Sequence, residues 1–210
     1  ADSFDDARAL LRESIIPVLI DPETRARESF APRVLIDAVM AKRNTGTRSA
    51  DAPLVLALGP GFTPGVDCHA VIETNRGHNL GRVWRAPRRA AEPNTGTPGE
   101  IGGKGGERVL RAPRDGAVES VAQIGDHVAR GQVIARVNEA AVLAPFDGML
   151  RGLVHDGLVV KAGTKIGDVD PRANRDTCFT ISDKSLAMGG GALEAVLTWM
   201  NGGENSEGRS

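Results

Sequence analysis

Ala112-Pro113-Arg114-Asp115-Gly116 recurs 32 residues further along the chain as Ala144-Pro145-Phe146-Asp147-Gly148. The same offset continues downstream and pairs Val118 with Leu150, Val121 with Leu153, Gly125 with Gly157, Val128 with Val160, Gly131 with Gly163, Ile134 with Ile166 and Val137 with Val169. A fixed period of this kind is typical of an internal repeat. Each copy alternates short apolar runs with glycine turns, which predicts two small all-β halves that bury one face against each other.

The repeat resembles the biotinyl/lipoyl-type barrel-sandwich hybrid over residues 107–171, in the order A-P-x-D-G, G-D-x-V, G-Q-x-I. In carrier members of that family, the hairpin between the two halves presents a lysine that is acylated. Here the corresponding hairpin, residues 137–142, reads Val-Asn-Glu-Ala-Ala-Val and has no lysine. The resemblance therefore implies the fold, and we expect no covalent biotin or lipoate on this chain.

The N-terminal part has a different pattern. Short apolar runs at 15–20, 34–39, 54–58 and 70–73 predict buried strands, residues 2–14 predict a helix before the first run, and residues 23–30 predict a short helix between the first two. Near-continuous apolar strands that alternate with helices or loops are typical of a mostly parallel sheet covered on both faces. We therefore predict a Rossmann-like α/β domain over residues 1–106 that ends in a Gly/Pro-rich loop. No G-x-G-x-x-G follows a strand.

The C-terminal part predicts helices. Residues 172–200 should form a helical segment in which Gly189-Gly190-Gly191 separates a short helix from a second helix. Leu193, Val196, Leu197 and Met200 give that second helix an apolar face that should pack on the body. Residues 201–210 are rich in Gly, Asn, Ser and Glu, so we expect a disordered tail.

Composition excludes several functional classes. The 210 residues carry a net charge of −1, which gives no general attraction to nucleic acid or to a membrane surface. Aromatic residues make up 3%, too few for the stacking platforms of single-strand binders, and no apolar stretch is long enough to cross a membrane. The two cysteines are far apart, so neither a disulfide framework nor a metal site is expected, and the cytoplasm is the expected location. The oligomeric state stays open.

The candidate ligand site lies in loops that follow the predicted strands. Ligands of open α/β sheets bind outside the carboxyl ends of the strands, where glycine-rich loops let N–H groups approach an anion. Such loops follow the second, third and fourth runs, and the turn sequence Asn-Thr-Gly-Thr occurs at both 44–47 and 94–97. The predicted ligand-binding residues are Asn44, Gly59, Gly61, Thr63, Gly65, Glu73, Arg76, Asn94, Thr95 and Gly96. A rigid turn and a solvated basic loop are the alternatives.

Two side chains are candidates for chemistry. His78 could move a proton near neutral pH, although a lone histidine is more often structural. Cys178 lies among apolar residues, which favours an inert thiol, but Arg172, Arg175 or Lys184 could activate it.

Five segments of the chain resemble one family along most of its length. They are Ala41-Lys42-Arg43-Asn44, Leu58-Gly59-Pro60-Gly61-Phe62, Val71-Ile72-Glu73-Thr74-Asn75-Arg76-Gly77-His78, residues 93–103 and Thr180-Ile181-Ser182-Asp183-Lys184. The family is the YqeB-type accessory proteins of the selenium-dependent molybdenum hydroxylase system. Members usually carry an upstream Gly-rich, Rossmann-like opening, so this chain looks like the C-terminal portion of a longer member.

The resemblance implies a cytoplasmic maturation factor whose partners are a selenium-dependent molybdenum hydroxylase or its maturation proteins. An anionic ligand, either a nucleotide or a molybdopterin-type anion, fits the basic strand ends. A nucleotide- or pterin-phosphate-binding enzyme and a non-catalytic scaffold that docks a hydroxylase are the alternative functions, so the sequence leaves open whether the chain is an enzyme.

Overall fold

The computed structural model describes residues 1–87, 89–96 and 99–203. The chain forms two compact units: the first comprises Ala1–Asn94 and the chain from Lys184 onward, and the second comprises Thr95–Asp183. The fold is mixed α/β, with one mostly parallel sheet, two antiparallel sheets and a C-terminal helix. No helix in the described part of the chain is both long enough and apolar enough to span a membrane.

The first unit contains a four-stranded sheet in the order β1-β2-β3-β4. Its strands are β1 (Val34–Asp37), β2 (Leu54–Leu58), β3 (Ala70–Ile72) and β4 (Val83–Arg85). The first three are parallel, which confirms the predicted strands and their direction, and β4 joins β3 antiparallel. Side chains of β2 alternate between two cores: Leu54 and Leu56 face one, Val55 and Ala57 the other. Both faces of this strand are therefore buried, as its uninterrupted apolar sequence predicts.

Helices α1 (Phe4–Arg12) and α2 (Ala26–Phe30) form inside the two ranges predicted to be helical. The prediction of a buried strand at residues 15–20 is wrong. This segment has no regular structure, and Ile16, Val18 and Ile20 are 88%, 79% and 99% exposed. Apolar β-branched residues favour a strand only where a neighbouring strand and an apolar face receive them, and no strand of the described residues pairs with this segment.

The predicted break at Gly189-Gly190-Gly191 is also wrong. Helix α3 runs without interruption through Asp183–Gly203, so the first three residues of the predicted tail are helical, and residues 204–210 lie outside the described part. The helix packs on the sheet core through Met188, Ala195, Val196 and Trp199. A Cβ at Gly191 would overlap with the carbonyl oxygen of Gly81. Tertiary packing therefore overrides the low helix propensity of glycine, because this contact needs a residue without a side chain.

The second unit confirms the internal repeat. The first copy supplies β6 (Gly116–Ser120), β7 (His127–Val128) and β8 (Val133–Val137), and the second supplies β10 (Gly148–Leu153), β11 (Val159–Val160) and β12 (Lys165–Asp170). Matching strands begin 32 residues apart. The short middle strands are exchanged: β7 pairs with β10 of the other copy, and β11 pairs with β6.

Two more strands complete the sheets of the second unit. With β5 (Val109–Arg111) and β9 (Ala140–Leu143), the sheets are β5-β12-β10-β7 and β11-β6-β8-β9. They share one aliphatic core that includes Val128, Ile134, Leu150, Ile166 and Val169. The β8–β9 hairpin turns at Asn138 and Glu139, both at positive φ. Short 3₁₀ helices occupy Ser49–Asp51, Gly106–Arg108 and Arg175–Cys178. The third of these and α3 are the regular structure within residues 172–200, the range in which the sequence predicts two helices.

Candidate functional site

The loops that follow β1, β2 and β3 lie together at the carboxyl edge of the parallel strands. A Cβ at Gly61 would overlap with the backbone of Arg43, whose nitrogen lies 2.7 Å from that position. A Cβ at Gly59 would lie 2.7 Å from Oγ1 of Thr74. The loop at Gly59–Gly65 therefore contacts both neighbouring loops, and the structure brings together three of the segments that the sequence placed at strand ends.

The backbone of these loops adopts unusual conformations. Gly59 and Gly61 have φ values of 86° and 101°, where glycine is favoured. Met40 and Lys42, which are not glycines, have φ values of 59° and 63°. Non-glycine residues in the left-handed region are uncommon, and they occur often at functional sites, where the surrounding structure holds them. Lys42 is thus held at a defined place in the β1 loop, next to the residue that Gly61 contacts.

Glu73 organises the loop that follows β3. Its side chain is fully buried. One carboxylate oxygen accepts hydrogen bonds from the N–H groups of Thr74 (2.8 Å) and Asn75 (2.7 Å), and the other accepts from the N–H of Glu92 (2.8 Å). These bonds join two stretches of chain that are distant in sequence. Glu73, predicted as a ligand residue, thus uses both oxygens inside the protein and shapes the loop that carries Arg76 and His78.

Three cations gather at this edge. Lys184 is half-buried in the first turn of α3, and burial lowers the pKa of its amine, as do the nearby charges of Arg76 and Lys42, while Glu73 acts in the opposite direction. The placement agrees with the packing of the helix, because Ala187 lies against Gly81 at the end of the loop that Glu73 begins. Neither Lys42 nor Lys184 forms an ion pair with any of the residues described. Positive charge at this density attracts an anion.

Sequence reasoning did not include Lys184 among the ligand-binding residues. The strand-end rule searches the loops directly after each strand, whereas Lys184 reaches the site from a helix far downstream. One local signal was present. A lysine in the first turn of a helix opposes the macrodipole, which favours acidic residues there.

The other predicted residues have mixed placements. The N–H groups of Gly59 and Gly65 donate to the carbonyl oxygens of Ile72 (2.9 Å) and Cys68 (2.7 Å). The carboxamide of Asn44 accepts from Gly46 and Thr47, both at 2.8 Å. Gly59 therefore extends the pairing of β2 with β3, whereas Gly65 and Asn44 build turns. Gly61 is the loop glycine whose N–H has no acceptor among the residues described.

Thr63, predicted to bind the ligand, and His78, a candidate for proton transfer, are both exposed on their loops. Asn94 lies in the first unit, whereas Thr95 and Gly96 lie in the second. All three are exposed. Thr97, the last residue of the second Asn-Thr-Gly-Thr copy, lies outside the described residues.

The two thiols differ in their surroundings. Cys178 belongs to the second unit, where its thiol lies 3.7 Å from the carbonyl oxygen of Leu150. Burial raises the pKa of Cys178, and Arg151 and Arg175 offset part of that effect. The raised pKa favours the protonated, unreactive form at neutral pH. Among the residues described, no group of three or more His, Cys, Asp or Glu side chains could hold a metal ion.

Cys68 is expected to resist alkylation in the folded protein. It is fully buried, and burial, together with Asp67 and Asp37, raises its pKa to about 12. At pH 8 almost no thiolate is present, so iodoacetamide should label Cys178 first and leave Cys68 unmodified until the chain is unfolded. Peptide mapping by mass spectrometry measures both sites in one sample. Stoichiometric labelling of Cys68 in folded protein would contradict the buried, protonated thiol.

These features define a two-unit α/β protein with a cationic cluster at the carboxyl edge of its parallel strands. No family model matches the chain. Over 203 residues it is 48% identical to "Uncharacterized protein YqeB" of Escherichia coli (strain K12), an alignment that covers 97% of this chain and 37% of that protein. The chain is therefore related to YqeB and spans little more than a third of the length of that relative.

Proposed function

We propose that this chain is part of a cytoplasmic accessory protein for the maturation of selenium-dependent molybdenum hydroxylases, and that it binds an anionic cofactor or selenium species. The observation that carries the binding proposal is the group formed by Lys42, Arg76 and Lys184 beside the Gly59–Gly65 loop. The resemblance of the strand-end segments to the YqeB-type accessory proteins supports the pathway, and the 48% identity to YqeB supports the relation to that protein. The proposed partners are the hydroxylase or its other maturation proteins.

Each residue of the site has a role in this proposal. The charged ends of Lys42, Arg76 and Lys184 attract the anion, and the N–H of Gly61 donates to it. Glu73 is a positioning residue, because it holds the loop that carries Arg76. A nucleotide and a molybdopterin-type anion both carry phosphate groups that such a site would accept.

We also infer finer fold assignments for the two units. The parallel strands β1–β3, with loops at their carboxyl edge and α3 on one face, support a Rossmann-like first unit. The repeated three-strand halves with exchanged middle strands support a barrel-sandwich module of the biotinyl/lipoyl type. Its hairpin turns at Asn138-Glu139, so the acylation chemistry of carrier members has no place in the proposal.

Native mass spectrometry of the protein purified from its own cells should show a retained anionic small molecule. The charge of Lys184 is half-buried at the site, so Lys184→Met should release the molecule. Lys165→Met is the matched control, because Lys165 is an exposed lysine on β12 of the second unit and its loss changes the net charge equally. If both variants and the unaltered protein retained the molecule equally, it would be bound at a place other than the site that contains Lys184.

Deletion of the gene should leave the hydroxylase polypeptide present but inactive and poor in selenium. The proposed role is maturation, so the hydroxylase polypeptide should still be made when this gene is absent. Elemental analysis of the purified hydroxylase measures selenium directly. Complementation with the unaltered gene should restore selenium content, whereas the Lys184→Met gene should not. Normal selenium content and activity in the deletion strain would disprove the maturation role.

A scaffold without a small-molecule ligand is the second candidate function, and one observation favours it. The outer face of α3 carries Leu186, Leu193, Leu197 and Met200, which are 63%, 58%, 49% and 50% exposed. An exposed apolar stripe of this kind is typical of a protein-binding surface. Two results together would favour the scaffold over the anion site. A purified hydroxylase would bind the Leu193→Asp protein more weakly than the unaltered protein, and Lys184→Met would change neither binding nor maturation.

A further inference from the structure

We propose that the site formed by Lys42, Arg76 and Lys184 selects a doubly charged oxyanion, such as a terminal phosphate group, over a singly charged carboxylate. This inference rests on the proposed anion site and names the chemical class of its ligand. It is independent of the hydroxylase pathway.

Cations from three separate parts of the chain converge on the site. Lys184 comes from the first turn of α3, Lys42 from the loop after β1 and Arg76 from the loop after β3, and the charges of the latter two act on the Lys184 amine. An anion near all three interacts with each of them, and the Coulomb energy is proportional to its charge. The Coulomb attraction of a dianion to the three cations is therefore about twice that of a monoanion of the same size in the same place.

The carboxylate of Glu73, whose charge acts on the Lys184 amine, is already occupied by hydrogen bonds. Its two oxygens accept three backbone N–H groups at 2.7–2.8 Å. Its side chain therefore cannot turn to pair with the lysine without breaking those bonds. Part of the positive charge of Lys42 and Lys184 remains available to a ligand.

The fold sets the backbone positions of Lys42 and Lys184 before a ligand binds. The Lys42 loop adopts a left-handed backbone next to Arg43, against which Gly61 is packed. Lys184 is half-buried on a helix whose next turn contacts Gly81. Backbone positions set in advance reduce the entropy lost when the anion binds, and the half-buried Lys184 is less hydrated than a lysine on a freely exposed surface.

Thermal unfolding of the chain with three added anions tests the selection. Sulfate is a dianion at pH 5 and pH 8, methyl phosphate is a dianion only at the higher pH because its second pKa is about 6, and acetate is a monoanion. At equal ionic strength and pH 8, sulfate and methyl phosphate should raise the melting temperature by about 2–4 °C more than acetate does. At pH 5 the methyl phosphate effect should fall towards that of acetate, while the sulfate effect persists.

Variants separate site binding from the general stabilisation that excluded salts such as sulfate produce. Lys42→Met and Lys184→Met should each remove the difference between sulfate and acetate, Lys184→Arg should keep it, and Lys165→Met should leave it unchanged. Equal responses to acetate and sulfate that depend on Lys184 would overturn the selection for a dianion but keep the anion site. No Lys184-dependent response to any of the three anions would overturn both.

Discussion

Replacement of Glu73 by alanine is expected to lower the free energy of unfolding of the first unit by about 3–5 kcal/mol, because each buried donor left without an acceptor costs about 1–3 kcal/mol. The side chain is fully buried, and it accepts the N–H groups of Thr74, Asn75 and Glu92. The hydrogen bond from Thr74 is buried, and those from Asn75 and Glu92 are partly buried. Urea-induced unfolding followed by circular dichroism measures the loss. The sulfate-dependent stabilisation should disappear as well, since the loop carries Arg76.

Two variants test whether the loss has this cause. Glu92→Ala removes a carboxylate from the same region, but its partners are the side-chain amides of Asn75 and Asn79, which can turn to water. It should cost less than about 1 kcal/mol. Glu73→Gln should give an intermediate loss, because one oxygen still accepts two N–H groups while the amide N–H₂ faces the N–H of Glu92. A loss for Glu73→Ala no larger than that for Glu92→Ala would show that the buried carboxylate does not hold the loop.

The β repeat is the part of the fold that could be predicted best from the sequence. Turn glycines such as Gly125 and Gly157 report backbone conformations directly, and both have positive φ, at 93° and 80°. The agreement between the two copies also supports the strand assignment in each of them. The exchange of β7 and β11 between halves was not predictable from residue order, since a two-residue strand has too little pattern to identify its partner.

Residues 15–20 and α3 show why local patterns were insufficient elsewhere. The apolar run Ile15-Ile16 with Val18 and Ile20 has the composition of a buried strand, but burial depends on a neighbour that the run itself does not specify. Gly189-Gly190-Gly191 has the composition of a linker, yet it lies inside a helix because packing against Gly81 outweighs the propensity. Both errors arise where tertiary contacts decide the outcome.

The position of the candidate site could be predicted from the sequence, but the residues that belong to it could be predicted only in part. Parallel strands place their carboxyl ends at one edge, so the convergence of the loops with Asn44, Gly59 and Arg76 follows from direction alone. Which donors remain available depends on hydrogen bonds that no pattern shows. Gly59 donates its N–H to Ile72. Lys184 enters from a helix whose docking the sequence did not reveal.

Gly191→Ala and Gly190→Ala, two substitutions at adjacent positions of one helix, are expected to change stability in opposite directions. A Cβ at Gly191 would overlap with the carbonyl oxygen of Gly81 and lie 3.2 Å from Ile72. Overpacking against backbone should lower the free energy of unfolding by about 2–3 kcal/mol, because helix and loop must separate. At Gly190 no atom lies within 4 Å of the Cβ position. There the higher helix propensity of alanine should raise stability by about 0.5–1 kcal/mol.

The pair isolates the close contact because both variants add the same methyl group to the same helix and gain the same helix propensity. The difference between their free energies of unfolding, about 3 kcal/mol, therefore measures the approach of α3 to Gly81. The displacement should also reach the ligand site, because Lys184 lies two turns before Gly191 on the same helix. Gly191→Ala should weaken the sulfate-dependent rise in melting temperature, and Gly190→Ala should preserve it. If Gly191→Ala stabilised the chain as Gly190→Ala does, α3 would not be packed against that loop, and Lys184 would lose its place beside Arg76.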